Sequence, residues 1–357
     1  MKFSRLFWIP EEKRLPMVWR LIIQIVFMFL LSLPIGILQY FLMTSSIQPT
    51  VGLMIGLNIL SILVTSLGFL GSIWLTGRLF GRRKFADFGV RFSRNWWTDF
   101  GFGALLGACL IALIFLAEYA FGWITITGTF QMDALPIPFW AGIALQLLVY
   151  INVGIYEEFF FRGFHLKNLA EGFNAFKRIN PQTAIVIALV LSSVVFGVAH
   201  ASNDNATFVS SFNIVLAGIF LAAGYILTGE LAIPIGIHIT WNFFQGNVFG
   251  FPVSGTDSGP TLVAIQQGGP DIFTGGAFGP EAGLIGIIAM FLGTMLVWWY
   301  VKLRYGKALL WENLAVPEFL PKHQAKLDAA ATVMVAAEAE EIPVEIEETD
   351  SSEITEG

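Results

Sequence analysis

The longest uncharged stretch of this chain runs from Leu21 to Gly77 and contains no Asp, Glu, Lys or Arg. A transmembrane helix needs about 20 apolar residues, so this stretch is long enough for two membrane spans. Only 13% of the 357 residues are charged, whereas soluble domains carry about 25%. These features exclude a soluble globular fold, and we expect a polytopic membrane protein.

The apolar runs are continuous and do not alternate with polar residues, which favours helices over the strands of a membrane β-barrel. We predict an all-α fold: a polytopic membrane helix bundle with about eight transmembrane helices and a disordered acidic C-terminal tail. The first run lacks a cleavage site of small residues after a short apolar core, so we interpret it as an uncleaved span. The predicted spans are about 21–43, 52–76, 101–122, 137–161, 183–200, 208–228, 231–250 and 283–301.

The distribution of Lys and Arg predicts the orientation of the chain. The loops 44–51, 123–136, 201–207 and 251–282 contain no Lys or Arg. All 20 basic residues lie in the other loops, at their edges or in the terminal segments. Because positively charged loops stay in the cytosol, we expect both termini to be cytosolic.

Three regions follow from these patterns: a cytosolic N-terminal segment (1–20), an eight-span membrane domain (21–307) and a cytosolic tail (308–357). From Ala329 onward, alanines and acidic residues dominate without aromatic residues, which predicts disorder. Loop 251–282 is rich in Gly and Pro, so we expect it to be irregular. Phe164–Lys177 fits either an amphipathic surface helix or an extension of the fourth span. The single cysteine, Cys109, excludes an intramolecular disulfide, and we expect it to be buried.

Charged residues inside the apolar sequence indicate a functional site. Glu157 and Glu158 directly follow a stretch without charge, from Ala134 to Tyr156, and Arg162 comes four residues after Glu158. An ionisable group at bilayer depth costs about 3 kcal/mol on insertion scales. Paired glutamates at a helix end are usually surface charges, but here three phenylalanines follow them. Glu158 and Arg162 lie one helical turn apart, so we expect them to form an ion pair.

Two further polar pairs occur in predicted spans. His200 follows Phe196 by four residues, and His238 precedes Asn242 by four, so each pair shares a helix face. Taken singly, a membrane histidine or asparagine is often a hydrogen-bonding group that joins helices. The joint pattern is much less expected by chance. We assign Glu118 and Glu230 to structure, and we expect His165 and His323 to be solvated.

These residue types suit hydrolysis of a peptide bond, which needs a general base, a proton donor for the leaving amine and stabilisation of an oxyanion. A glutamate can act as the base, and histidine and asparagine can bind the water or the oxyanion. Glu157, His200 and His238 would equally suit zinc with one open position. The H-E-x-x-H helix signature is absent, so the sequence does not require zinc.

The three motifs Glu157-Glu158-x-x-x-Arg162, Phe196-x-x-x-His200 and His238-x-x-x-Asn242 resemble, in this order, those of the CPBP family. That family comprises type II CAAX prenyl endopeptidases and bacterial Abi intramembrane proteases. The resemblance implies that Glu157 activates the catalytic water and that His200 helps to bind it. It further implies that His238 and Asn242 form the oxyanion site and that Glu158 and Arg162 are a supporting pair. We favour a mechanism without metal, with zinc as the alternative.

The expected function is an intramembrane endopeptidase that uses glutamate-activated water to cleave a membrane-associated peptide or a lipid-anchored, CAAX-type protein. Its expected partners are this substrate and the lipid bilayer, with no nucleic acid. The expected location is the bacterial plasma membrane. Two alternatives are a transporter or proton relay and a non-catalytic protein of the bacteriocin-immunity type on the same fold. We find no inverted repeats of the kind that many transporters contain.

The depth of His200 conflicts with this assignment. The predicted span ends place Glu157 and His238 in the inner half of the membrane, at a helical rise of about 1.5 Å per residue. They place His200 near the outer surface. The polar stretch Ser202–Asn213 suggests a solution, because polar backbone is tolerated where it lines a watery cavity. We therefore predict that the fifth span ends in mid-membrane.

Overall fold

The computed structural model describes residues 7–45, 50–132, 137–257 and 259–340. Within them, seven helices are long and apolar enough to cross a membrane, which confirms the polytopic all-α bundle. The elements are α1 Met17–Thr44, α2 Val51–Ser66, α3 Ser72–Leu79, α4 Arg94–Ala120, β1 Ile124–Gln131, α5 Phe139–Glu157, α6 Lys167–Asn174, α7 Pro181–Ala199, α8 Phe208–Thr228, α9 Ala232–Phe243, β2 Thr261–Gln267, α10 Asp271–Thr274, α11 Leu284–Tyr305 and α12 Pro321–Glu340.

Two of the spans consist of helices joined by a π-helical segment. Residues Leu67–Gly71 connect α2 to α3, and Glu158–Leu166 connect α5 to α6. The second pair forms one continuous helical stretch of 36 residues, Phe139–Asn174. The fourth span therefore extends well beyond its predicted end at residue 161. Of the two interpretations of Phe164–Lys177, the structure shows the extension of this span.

The predicted span 231–250 corresponds to α9 and the π-helical segment Phe244–Val248 that follows it. Nearly every residue of α9 is buried, because α9 packs against α4, α5 and α8 in the centre of the bundle. Gly107 lets α4 approach closely: a Cβ atom at this position would lie 2.6 Å from the carbonyl oxygen of Ile237. Small residues at such crossings let helix backbones touch.

At one end of the bundle, here called the basic face, buried ion pairs connect several segments of the chain. The carboxylate of Glu171 accepts hydrogen bonds from Arg83 at 2.6 and 2.8 Å, Arg14 at 2.9 Å and Arg20 at 3.4 Å. The ammonium group of Lys167 lies 3.8 Å away. All five side chains are buried. This cluster ties the segment before α1, α1 itself and the residues after α3 to α6.

The opposite face carries a two-stranded antiparallel sheet, in which Ile124 of β1 pairs with Gln267 of β2 and Gln131 pairs with Thr261. The prediction that 251–282 is irregular was therefore wrong for β2. The paired residues of β1 lie 130 to 143 positions earlier in the chain, so local sequence does not indicate the pairing. Gln267 also donates a hydrogen bond of 2.9 Å to buried Glu118 on α4, which agrees with the structural assignment of that glutamate.

Three further expectations differ from the structure. The predicted disordered tail contains α12, whose alanine-rich sequence favours a helix; residues 341–357 lie outside the described residues. Cys109 is exposed rather than buried, because apolar side chains on the outside of a bundle can face lipid. His165 is buried, since the fourth span continues past it, and His323 is half-buried and bonded to the carbonyl of Glu12.

Candidate active site

Glu157 and Glu158 lie at the junction of α5 and the π-helical segment. Consecutive residues on a helix point about 100° apart, so the two carboxylates face different surroundings. The side chain of Glu157 is 14% exposed and lines a cavity, whereas that of Glu158 is fully buried. The adjacent glutamates therefore have separate structural roles.

Buried Glu158 connects two of the three motifs. Its Oε1 atom accepts one hydrogen bond from Arg162 and one from Nδ1 of His238, each at 2.8 Å. Arg162 also donates to the carbonyl oxygen of Gly218 on α8, and its guanidinium lies 4.5 Å from the ring centroid of Phe196 on α7. The predicted ion pair is present, and its arginine holds α7 and α8 against the π-helical segment.

The hydrogen bonds of the two histidines determine which nitrogen faces the cavity. Nδ1 of His238 donates to Glu158, so Nε2 points toward Glu157, whose Oε2 atom lies 3.9 Å away. Nδ1 of His200 lies 2.8 Å from the carbonyl oxygen of Phe196. Because a carbonyl only accepts, this nitrogen carries a proton, and Nε2 of the neutral ring is an acceptor. The ring of His200 also packs on that of Phe196, at 4.6 Å between centroids.

The structure brings Glu157, His200, His238 and Asn242 to one cavity of about 300 Å³. Its remaining walls combine apolar side chains of α5, α8 and α11 with polar groups of the loop before β2. Ligand cavities are commonly about 300–1,000 Å³ and largely apolar, with few polar groups. The cavity thus contains a carboxylate, two imidazoles and an amide within apolar walls.

The length of the fourth span explains why His200 reaches this cavity. Glu157 lies 17 residues before the end of α6 at Asn174, which is roughly 25 Å along a helix. His200 follows the start of α7 at Pro181 by 19 residues, or roughly 28 Å. The same short turn follows α6 and precedes α7, so Glu157 and His200 lie at similar distances from it. The predicted polar stretch contributes Asn203 to the cavity wall, and α8 begins at Phe208.

A close approach of α5 and α9 brings the first and third motifs together. Gly154 lies one turn before Glu157, and a Cβ atom there would be 2.6 Å from Cγ1 and 3.1 Å from the backbone nitrogen of Ile239. Ile239 follows His238 directly. The π-helical segments Glu158–Leu166 and Phe244–Val248 lie next to the same site. Such segments in other proteins are frequently found at functional sites.

Sequence reasoning missed another carboxyl group in the cavity wall, that of Glu281. Its Oε2 atom accepts a 2.6 Å hydrogen bond from Gln245, and its Oε1 atom accepts from the backbone N–H and the hydroxyl of Ser254 at 3.3 and 3.4 Å. Burial raises the pKa of Glu281 to about 7, although these hydrogen bonds lower it. A lone glutamate in a Gly- and Pro-rich turn carries no spacing signal, so only the fold reveals its position.

Zinc is the alternative that the sequence left open, with Glu157, His200 and His238 as ligands. Among the described residues, no group of three or more His, Cys, Asp or Glu side chains is arranged to hold a metal ion. The Nδ1 hydrogen bonds of both histidines leave Nε2 of each ring toward the cavity, and metal-binding histidines commonly have the same pattern. Zinc therefore stays the alternative to a mechanism without metal.

The fold and the cavity define a polytopic helical membrane protein with a polar site in its core. Residues 138–244 match the family model described as type II CAAX prenyl endopeptidase, Rce1-like. The matched segment includes all three motifs, so it confirms the resemblance to the CPBP and CAAX protease family and supports a CAAX-type intramembrane protease in general. Searches of curated proteins and of solved structures gave no significant match.

Proposed function

We propose that this protein is an intramembrane endopeptidase that hydrolyses a peptide bond of a membrane-associated peptide or of a lipid-anchored, CAAX-type protein. One observation carries the proposal: Glu157, His200, His238 and Asn242, which come from three separate motifs, line one cavity within the helix bundle. This set supplies a general base, a water-binding group and two potential donors for an oxyanion.

In the first step, the carboxylate of Glu157 removes a proton from water while the water oxygen attacks the carbonyl carbon of the substrate. His200 accepts a hydrogen bond from that water through Nε2, since its Nδ1 is bonded to the Phe196 carbonyl. The negative charge that develops on the carbonyl oxygen is stabilised by the amide of Asn242 and by Nε2–H of protonated His238. An imidazolium at His238 makes the set Glu157, Glu158, Arg162 and His238 electrically neutral.

In the second step, the protonated carboxyl group of Glu157 gives its proton to the nitrogen of the leaving group, and the carbon–nitrogen bond breaks. Glu158 keeps the ring of His238 in the same orientation through both steps, because it accepts a 2.8 Å hydrogen bond from Nδ1–H. The products are a carboxylic acid and an amine, and Glu157 returns to its starting state.

The orientation belongs to the same proposal. Both termini lie in the cytosol, because the loops at the basic face contain the Lys and Arg residues. The membrane is the bacterial plasma membrane, and the cleaved bond lies toward its inner leaflet. A reporter fused to either terminus is expected to show cytosolic activity.

The variant Glu157→Gln tests the proposal. It keeps the size of the side chain and removes the base, so we expect cleavage to fall by at least about 10²–10⁴-fold while the protein remains inserted and folded. The measurement compares protein N-termini and C-termini in native membranes that contain wild type or the variant at matched expression. New ends that appear only with wild type identify both the activity and its substrate.

Glu118→Gln is the matched control, because Glu118 is also a buried glutamate in a span but bonds to Gln267 and does not line the cavity. This control is expected to cleave like wild type. Unchanged cleavage by Glu157→Gln would remove Glu157 as the base. If neither folded wild type nor the folded variant produces ends that membranes without the protein lack, transport or an immunity function is favoured instead.

A further inference from the structure

Glu281 is a carboxyl group of the cavity for which the proposed mechanism has no use. It lies in the short turn before α11, and only 4% of its surface is exposed. Gln245, which bonds to it, follows Asn242 by three residues, so both lie on the same helical face. Glu281 is thus linked through one side chain to the helix that carries the proposed oxyanion donor.

The other partner of Glu281, Ser254, belongs to the loop 252–256, which forms part of the cavity wall. Val253, Ser254 and Thr256 of this loop line the cavity together with Glu157. Gln245 donates to the carbonyl oxygen of Pro252 as well as to Glu281, each at 2.6 Å. From the other side, Asn203 donates to the carbonyl oxygen of Ser254 at 2.9 Å. Glu281 is the ionisable member of this network.

We propose that Glu281 is a positioning residue for the substrate: its carboxylate fixes the loop 252–256 and thereby sets how the substrate chain lies beside Glu157. The inference rests on the proposed endopeptidase function. Glu281 affects how the substrate binds and not the chemical step, because it acts through the wall of the binding cavity and takes no part in the transfer of protons to the leaving group. We therefore expect Glu281 to affect KM and not kcat.

The charge of Glu281 matters because each of its bonds to Ser254 and Gln245 has the carboxylate as acceptor. A protonated carboxyl group loses acceptor capacity and adds a donor that this network does not need. Since the pKa of Glu281 is raised to about 7, the loop is fixed above pH 7 and is released as pH falls below it. The other titratable groups nearby are those of the cavity wall and of the surrounding surface: Glu157, His200, His238, Tyr150 and Tyr156 in the wall, and exposed Asp204, Asp257 and Asp271 outside it.

The first arm of the test is steady-state cleavage from pH 6 to pH 8.5 of a peptide that contains the identified cleavage site. For wild type, we expect KM to rise about tenfold as pH falls through 7, in line with the loss of a hydrogen bond to a charged acceptor. Glu281→Gln is expected to show the higher KM at every pH, with kcat within about twofold of wild type. Asp271→Asn, which removes an exposed carboxylate nearby, is expected to behave like wild type.

The second arm is hydrogen exchange of the amides of residues 253–257 without substrate at pH 8. Glu281→Gln is expected to accelerate exchange at Ser254 at least about fivefold, because the amide acceptor replaces a charged one. Asp271→Asn is expected to leave it unchanged. Ser254→Ala removes the hydroxyl donor alone and serves if Glu281→Gln does not fold; it is expected to raise KM in the same direction by a smaller factor.

The two arms separate this inference from the proposed function. The role of Glu281 would be overturned if folded Glu281→Gln had the KM of wild type or the exchange rate of wild type at Ser254. It would also be overturned if Glu281→Gln lowered kcat by the same factor at every pH. If wild type shows no cleavage at all, the endopeptidase proposal fails, while the exchange of Ser254 still decides whether Glu281 holds the wall.

Discussion

Glu158 is the residue that joins the motifs of this site. Its Oε1 atom accepts two hydrogen bonds, one from Arg162 and one from His238. A fully buried carboxylate is tolerated only when it is paired, since transfer of a charge from water to a low dielectric is costly. Arg162 therefore stabilises the charge that orients the imidazole. The supporting pair of the first motif acts on the third motif through this shared atom.

Substitution of Arg162 by Ala is expected to destabilise the protein by about 3–5 kcal/mol, because it leaves the buried charge of Glu158 without its guanidinium partner. Thermal unfolding in detergent micelles measures the effect. Arg178→Ala provides the control, since Arg178 is exposed in the turn that follows the same span; it is expected to unfold like wild type. A fully stable but inactive Arg162→Ala would place the arginine in the substrate site instead.

At the scale of elements, sequence predicted the spans and missed their connections. Apolar runs identify membrane helices because each run must satisfy its backbone inside lipid. The end of the fourth span was placed at residue 161, directly before Arg162, although the helix continues to Asn174. Lys167 and Glu171, which follow that point, are buried in a cluster with arginines from distant parts of the chain, and a single sequence does not show such distant pairing. This error contributed to the conflict over the depth of His200.

The motif residues themselves could be predicted, since helical spacing places Glu158 beside Arg162 and Phe196 beside His200. The hydrogen bond between Glu158 and His238 could not, because it joins residues 80 positions apart. Glu281 and the pairing of β1 with β2 were missed for the same reason. Each depends on how helices and loops pack, and neither periodicity nor composition carries that information.

The crossing of α4 and α9 allows a test of how precisely the site must be held. A Cβ atom at Gly107 would lie 2.6 Å from the carbonyl oxygen of Ile237, so Gly107→Ala must move α9 and with it His238. We expect a loss of stability of about 1–3 kcal/mol, as for other overpacked contacts. We also expect at least a tenfold lower rate of cleavage, because a shift of about 1 Å can cost 10²-fold in rate.

Gly101→Ala is the control on the same helix, since nothing lies within 4 Å of a Cβ atom at Gly101. This substitution also improves helix propensity, so its stability should equal or exceed that of wild type. Unfolding temperature and cleavage rate are measured for both variants. If Gly107→Ala matched Gly101→Ala in both quantities, close contact of α4 with α9 would not determine the position of His238.

At the scale of the whole molecule, the family match covers residues 138–244. Residues outside that segment also make contacts that stabilise it. Arg14, Arg20 and Arg83 reach Glu171 on α6 from parts of the chain outside the match. The same helical span carries Glu157 and Glu158 at the other end of its π-helical segment. The first spans are thus anchored to the element that positions the proposed catalytic base.

Glu171→Gln is expected to destabilise the protein by about 3–5 kcal/mol, because it leaves three buried arginines and a lysine without their shared carboxylate. The segment before α1 should then detach, so limited proteolysis is expected to cut it faster than in wild type. Glu318→Gln is the control: Glu318 forms a half-exposed pair with Arg91 at 3.6 Å, and such pairs contribute about 0–1 kcal/mol. Equal unfolding temperatures and equal proteolysis for the two variants would show that the cluster does not hold the N-terminal spans, because loss of a stabilising buried acceptor must cost more than loss of a surface pair.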